Sequence, residues 1–298
     1  MELIHYCLIA LVTLANAQFE EPTAAPVLAN ITLSKGDIQV FSGEDLMTTC
    51  SVPEDRSSSW RYKWFRDGAE IGLDGFREIR IELSGEYSCQ AEKDTEKRPF
   101  VLRTLPSLPL NLRVDRGWVL LQTPATPAII DDTVILMCRI RNNPVAREVC
   151  FYKDASEIQC HKSKLLILTN VMLEDGGIYW CRASWMQGNE LHSAQSVPTP
   201  VTVLDKLNTP QLAIVSGQIV LGQEVHLRCN TQLNVKGEGL HIEYYYMKNN
   251  SWLAPSSSSN TYTIRNVQHQ DAGTYTCKAK VRILDVERWS NSLELKVH

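Results

Sequence analysis

An all-β fold of three tandem sandwich domains is what this sequence predicts, and three observations carry that expectation. The first is composition. The chain has 298 residues, of which 44% are apolar and 21% charged, values of a globular protein able to bury a core. The second is a recurrence of cysteine pairs: Cys50/Cys89, Cys138/Cys181 and Cys229/Cys277 stand 39, 43 and 48 residues apart, and each second cysteine has a tyrosine two residues before it (Tyr87, Tyr179, Tyr275). The third is period-two alternation running into the first cysteines, as in Val134-Ile135-Leu136-Met137-Cys138 and Val225-His226-Leu227-Arg228-Cys229. Alternation of that kind marks strands with one face buried.

The elements follow in chain order. Leu3 to Leu14 is mostly apolar and is followed by Ala15-Asn16-Ala17, small residues where a signal peptidase needs them. The competing reading is a buried helix, and the n-region carries Glu2 with no Lys or Arg. The small-residue exit favours a signal peptide over residues 1–17. Its removal takes Cys7 away and leaves eight cysteines, an even number for an oxidising route. No later stretch approaches the ~18 apolar residues of a membrane helix, and Ser292 to His298 reads as a strand. The expectation is a secreted, extracellular protein without a membrane anchor.

Each repeat carries the same parts. About fourteen residues past each first cysteine sits an aromatic: Trp64, Phe151, or the run Tyr244-Tyr245-Tyr246. Before each second cysteine the chain reads Leu83-Ser84-Gly85-Glu86-Tyr87-Ser88-Cys89, Asp175-Gly176-Gly177-Ile178-Tyr179-Trp180-Cys181 and Asp271-Ala272-Gly273-Thr274-Tyr275-Thr276-Cys277. This is the immunoglobulin-domain pattern. Two cysteines facing each other staple the sheets, the aromatic packs on that disulfide, and the tyrosine hydroxyl ties the corner before strand F to the backbone. Closing a loop of about 40 residues is worth roughly 4 kcal/mol in the chain-entropy account. Composition places the domains at 18–114, 115–204 and 205–298, with short junctions that favour fixed interdomain angles.

Several segments resemble one family within that superfamily. Ser84-Gly85-Glu86-Tyr87-Ser88-Cys89-Gln90-Ala91 is similar to strand F of the first domain of Fc receptors and Fc receptor-like proteins. Gly117-Trp118-Val119-Leu120-Leu121-Gln122 is similar to the opening of their second domain. Leu240-His241-Ile242-Glu243-Tyr244-Tyr245-Tyr246-Met247 is similar to strand C of their third. The resemblance implies binding of immunoglobulin Fc, of an isotype left open, through the second domain and its junction with the first. It implies that two tryptophans grip an Fc proline. Trp118 matches one of them, whereas Arg141 stands where the other belongs in the B–C loop. Junction packing is the other role open to Trp118.

Further contact elements carry over by position. The B–C loop is expected over Arg139 to Arg147, and the C′ region holds His161, Lys162 and Lys164. The F–G loop is expected over Ala183 to His192, with Trp185, Met186, Gln187 and Asn189. Loops at one end of a sandwich carry recognition, and Trp, Arg and Met are enriched at interface cores. Trp118, Arg141, Arg147, Lys162, Trp185, Met186, Gln187 and Asn189 are therefore the candidate ligand residues. An exposed Trp185-Met186 pair would serve as anchor, against the alternative of a loop folded back on its domain; for the arginines the alternative is a solvated surface.

Phe151 takes the core-facing position, so Cys150 faces the other way, and Asp154-Ala155-Ser156 makes a turn that sets Cys150 opposite Cys160. A cross-strand disulfide fits, against a metal site with His161. Sequons at Asn30-Ile31-Thr32 and Asn249-Asn250-Ser251 predict glycosylation, and Ser256 to Ser259 reads as a flexible loop. No catalytic motif occurs, so no enzyme and no cofactor are expected. A net charge of −4 argues against nucleic acid. The resulting expectation is a monomeric, soluble Fc receptor-like modulator of immune recognition without signalling of its own. The alternatives are an immunoglobulin-domain protein for another serum or cell-surface partner, such as an inhibitor, and an adhesion ectodomain working through self-contacts.

Overall fold

The computed structural model describes residues 27–53, 59–73, 75–96, 100–215 and 219–297. The expected signal peptide with Cys7 lies outside the described residues. The chain is all-β and builds immunoglobulin-like sandwiches. It divides into two compact units, Met1–Arg116 and Gly117–His298. Three hydrophobic clusters form, one in the first unit and two in the second, each around one sheet-spanning disulfide.

In the first unit, Asn30–Lys35, Met47–Ser51 and Glu78–Arg80 make one sheet. Gln39–Phe41, Leu110–Asp115, Gly85–Asp94, Arg61–Arg66 and Ala69–Glu70 make the other. Alternation decides which residues turn inward: Tyr62 and Trp64 on one strand, Tyr87, Cys89 and Ala91 on the next, all buried. In the second unit the strand Val134–Ile140 lies between Val119–Gln122 and Leu165–Leu168. It faces a sheet ordered Ser156–His161, Ala146–Lys153, Gly177–Gln187, Glu190–Gln195. The same plan recurs with Gln211–Ile214, Val225–Asn230 and Thr261–Ile264 against Ser251–Trp252, Glu243–Lys248, Gly273–Val281 and Val286–Trp289.

The disulfides are Cys50–Cys89, Cys138–Cys181, Cys150–Cys160 and Cys229–Cys277. Trp64, Phe151 and Tyr246 stand in register with Cys89, Cys181 and Cys277 respectively. The tyrosine run is thereby resolved: Tyr244 and Tyr246 point inward and Tyr245 outward. The corner tyrosines donate from their hydroxyls to Leu83 O (2.8 Å), Asp175 O (2.7 Å) and Asp271 O (2.7 Å).

Two threefold features lie outside the cysteine pattern. Ser107, Ser196 and Ser290 accept at Oγ from the N–H of Cys89, Cys181 and Cys277 at 3.0, 3.0 and 2.9 Å. Asp67, Asp154 and Asn249 sit at positive φ in the turn after strand C. Each accepts at its side chain from a backbone N–H at the start of strand F, those of Glu86, Ile178 and Thr274. The serine run after Pro255 is tied down rather than loose, because Ser257 exchanges both backbone hydrogen bonds with Tyr244. No helix among the described residues is long and apolar enough to cross a membrane.

Candidate recognition cleft

Trp118 immediately precedes the strand Val119–Gln122, and Arg141 immediately follows Val134–Ile140, its antiparallel neighbour. Register therefore brings the two side by side. The Arg141 N–H donates to Trp118 O at 2.9 Å, and its guanidinium Nε donates to Gly117 O at 3.0 Å. Arg141 is thus half-buried and braces the strand that presents Trp118, which remains 49% exposed.

The B–C turn is shorter than expected, because strands run to Ile140 and resume at Ala146. Asn142 and Asn143 take φ of 61° and 48°, the left-handed region that asparagine tolerates best after glycine. Lys164 locks this turn from beside the C′ strand: its ammonium donates to Asn143 Oδ1 at 2.7 Å and Pro144 O at 2.9 Å. Burial holds the Lys164 ammonium below its ordinary range.

The F–G segment is a tight hairpin rather than a broad loop. Gly177–Gln187 turns at Gly188-Asn189 into Glu190–Gln195. Of the two turn residues only Gly188 has positive φ (62°), the pattern of a II′ turn. Because the strand continues, its alternation continues too. Trp185 falls on the inward face with Tyr179, Cys181 and Ala183 and is 4% exposed, while Met186 turns outward at 44%. The expected exposed pair is corrected accordingly: Trp185 is a core residue and Met186 alone is presented.

These elements enclose a cleft of about 220 Å³ lined by Trp118, Arg141, Asn142, Pro144, Trp185, Met186 and Gln187. The Trp118 and Trp185 rings lie 6.2 Å apart between centroids, and Trp185 also stacks on His192 at 6.0 Å. A second indole is therefore present, supplied from strand F beneath Trp118 rather than from the B–C loop, where Arg141 stands. Arg147, Lys162 and Asn189 are exposed and stand outside the lining. A larger hollow of about 460 Å³ lies in the first unit around Ile71, Phe76 and Leu83, and no candidate ligand residue lines it.

Asn30 and Asn249, the expected glycan sites, are both exposed. Asn249 carries a structural duty as well, since its Oδ1 holds the Thr274 N–H. Asn142 and Pro144, which the sequence placed in the turn of the B–C loop but not among the candidate ligand residues, belong to the lining. Also unforeseen is a cation held by three rings on the last sandwich: Lys278 Nζ lies 4.9 Å from the Tyr245 ring and 5.3 Å from those of Trp252 and Trp289.

Comparison with known proteins places this architecture. Models of the immunoglobulin domain match residues 118–203 and 209–280. Mouse Fc receptor-like A is 28% identical over 194 residues, covering 64% of this chain and 55% of that protein. The mouse low affinity immunoglobulin gamma Fc region receptor II is 26% identical over 184 residues, 60% of this chain and 51% of that receptor. The chain is an Fc receptor-like member of the immunoglobulin superfamily. It spans about half the length of the curated relatives it matches. Among solved structures, the second Ig-C2 domain of human Fc receptor-like A aligns at 22% identity and a TM-score of 0.26, over 30% of this chain and 98% of that one. Fc receptor-like chains of this kind are binding proteins rather than enzymes.

Proposed function

We propose that this Fc receptor-like chain binds the Fc region of immunoglobulin through the cleft at Trp118, Arg141 and Met186, acting extracellularly as a modulator of immune recognition. The observation that carries the reading is the convergence of Trp118, Arg141 and the Trp185-Met186-Gln187 hairpin end on one cleft, in a chain similar to a named immunoglobulin gamma Fc region receptor. The chemistry suits a protruding apolar residue of a protein ligand. An exposed indole and a thioether cover it, beside the half-buried Arg141 that braces the Trp118 strand. Division into domains at 18–114, 115–204 and 205–298 behind a signal peptide of residues 1–17, with glycans on Asn30 and Asn249, belongs to the same proposal. Four disulfides support an oxidising compartment.

A second reading rests on Arg141. An arginine at the B–C position, committed to the Gly117 carbonyl, favours a partner other than a gamma-type Fc. Surface binding of the purified glycoprotein to intact immunoglobulins of several isotypes, with Fab and Fc fragments in parallel, tests both. Binding to Fc that Trp118→Ala weakens supports the first reading. Absence of binding to every isotype at tens of micromolar overturns it in favour of another serum or cell-surface partner.

A further inference from the structure

The four disulfides are not equivalent. Three join opposite sheets inside hydrophobic clusters, and their six cysteines are fully buried. Cys150–Cys160 instead joins two adjacent strands of one sheet, with Cα atoms 4.0 Å apart against 6.1 to 6.2 Å in the others. Its residues pair directly in the register Val149↔His161, Cys150↔Cys160, Phe151↔Gln159. Val149 and Phe151 turn into the core, so the disulfide rides on the outer face. Cys150 is 2% exposed under its neighbours, whereas Cys160 is open to solvent on the edge strand Ser156–His161. Thiol–disulfide exchange begins with a thiolate reaching one sulfur of the bond. Among the described residues Cys160 is the one disulfide cysteine that is exposed.

We infer that Cys150–Cys160 is a thiol–disulfide exchange site, opened by an external dithiol reductant that attacks Cys160, and that its state controls the C–C′ hairpin beside the cleft. The reductant's thiolate bonds to Cys160 Sγ, the S–S bond breaks, and its electron pair leaves on Cys150 Sγ, which then takes a proton. The reductant's second thiolate attacks its own sulfur in the mixed disulfide and releases Cys160 as a thiolate. The dithiol ends as a disulfide, having given two electrons, and the chain ends with two thiols. Arg182 stands in register with Cys150 on the neighbouring strand, where its charge favours the leaving thiolate. The Glu157 carboxylate, within 4.8 Å of both sulfurs, opposes it.

The path to the cleft is short. The strand Ser156–His161 is an edge strand held by Ala146–Lys153 alone, and its pairing slips between Phe151 and Tyr152. Three residues past His161, Lys164 grips Asn143 and Pro144, and Pro144 lines the cleft. Losing the cross-link frees the strand that positions Lys164. This consequence rests on the recognition reading above, whereas the exchange chemistry does not.

The test is graded reduction of the whole native glycoprotein with dithiothreitol, followed by alkylation and peptide mapping, without immunoglobulin present. Alkylation at Cys150 and Cys160 is expected at least about tenfold faster than at the six core cysteines, which a reductant reaches only when a sandwich opens. Equal rates, or survival of Cys150–Cys160 beyond any core disulfide, overturn the assignment. Amide hydrogen exchange of the selectively reduced, alkylated protein, and of a Cys150→Ala, Cys160→Ala double variant, is expected to quicken over 141–145 and 156–164. Unchanged exchange there in both overturns the coupling while leaving the exchange site standing. Because neither readout uses a ligand, failure of Fc binding is distinguishable from failure of this inference.

Discussion

Replacing Trp118 and Trp185 by alanine one at a time separates surface from core within the same cleft. Trp185 is 4% exposed and belongs to the cluster built on Cys138–Cys181. Truncating a buried tryptophan removes its transfer free energy and leaves a cavity, together about 3–5 kcal/mol. Trp118 is 49% exposed and loses chiefly its ring contact with Trp185, on the order of 0.5–1.5 kcal/mol. For a unit the size of Gly117–His298, each kcal/mol moves Tm by roughly 2–4 °C. Trp185→Ala is therefore expected to lower Tm by roughly 6–20 °C and Trp118→Ala by roughly 1–6 °C, on the same scaling. Differential scanning calorimetry of both variants at one scan rate reads this directly. The consequence for ligand work is that lost binding in Trp185→Ala reports unfolding, and only Trp118→Ala reports contact. A Trp185→Ala protein that melts within about 2 °C of the parent would refute the reasoning, because the indole could not then be a core member.

The remaining expectations concern the repeated features. Ser107→Ala and Ser196→Ala each strand the buried N–H of Cys89 or Cys181 and should cost about 1–3 kcal/mol in urea unfolding. Ser290→Ala should cost less, since Ser290 is only half-buried, unlike Ser107 and Ser196, and water can reach the amide once its hydroxyl is gone. Burial, helped by Asp175 and by Asp271, pushes the Tyr179 and Tyr275 phenols up to about 12. A raised folded-state pKa means the neutral form is held in the fold. That stability should be whole below pH ~10 and lost as pH climbs from there through about 12, which tyrosinate absorbance and circular dichroism followed together will show. Lys206→Ala removes the exposed ion pair to Asp131 at 2.6 Å and should change stability by less than about 1 kcal/mol. Asn249→Asp should fold as the parent does, because Asp67 and Asp154 fill the same turn position in the other two sandwiches; Asn249→Ala should cost about 1 kcal/mol through the lost acceptor for Thr274 N–H. Mass spectrometry of the Asn249→Asp protein then reads glycan occupancy free of any folding defect.

What the sequence made legible was whatever repeats at fixed offsets. Cysteine spacing, the tyrosine two residues before the second cysteine and strand alternation follow from sheet geometry, and each has one physical solution. Even Cys150–Cys160 could be read, because a hairpin turn fixes which residues face each other. The serines that hold the Cys89, Cys181 and Cys277 amides were not legible. They stand 18, 15 and 13 residues past their cysteines, an offset set by the F–G connection rather than by a period. The B–C turn was overestimated for a related reason. Its length is decided by two left-handed asparagines and a lysine brace from another strand, and no local pattern announces that brace.

Trp185 is the instructive case, because its signal was present in the sequence. Counting by twos from Tyr179 and Cys181 reaches Ala183 and then Trp185, so a strand that simply continued would bury it. Taking residues 183–192 as a loop discarded that count. The strand continues because Gly188 supplies a tight turn at the far end, and the extra length carries the indole under Trp118. The same event explains how the chain lacks a B–C tryptophan yet keeps two indoles at one cleft. Hairpin length on strand F, rather than the identity of residue 141, brings the second ring to within 6.2 Å of the first. Arg141, relieved of that role, holds the backbone at Gly117 instead. If so, Arg141→Trp should not simply add an aromatic wall: it removes the brace on the Trp118 strand, and ligand affinity should fall together with the protection of the Trp118 and Val119 amides in hydrogen exchange. A gain in affinity with protection unchanged would show that the guanidinium does nothing for the cleft that an indole cannot do.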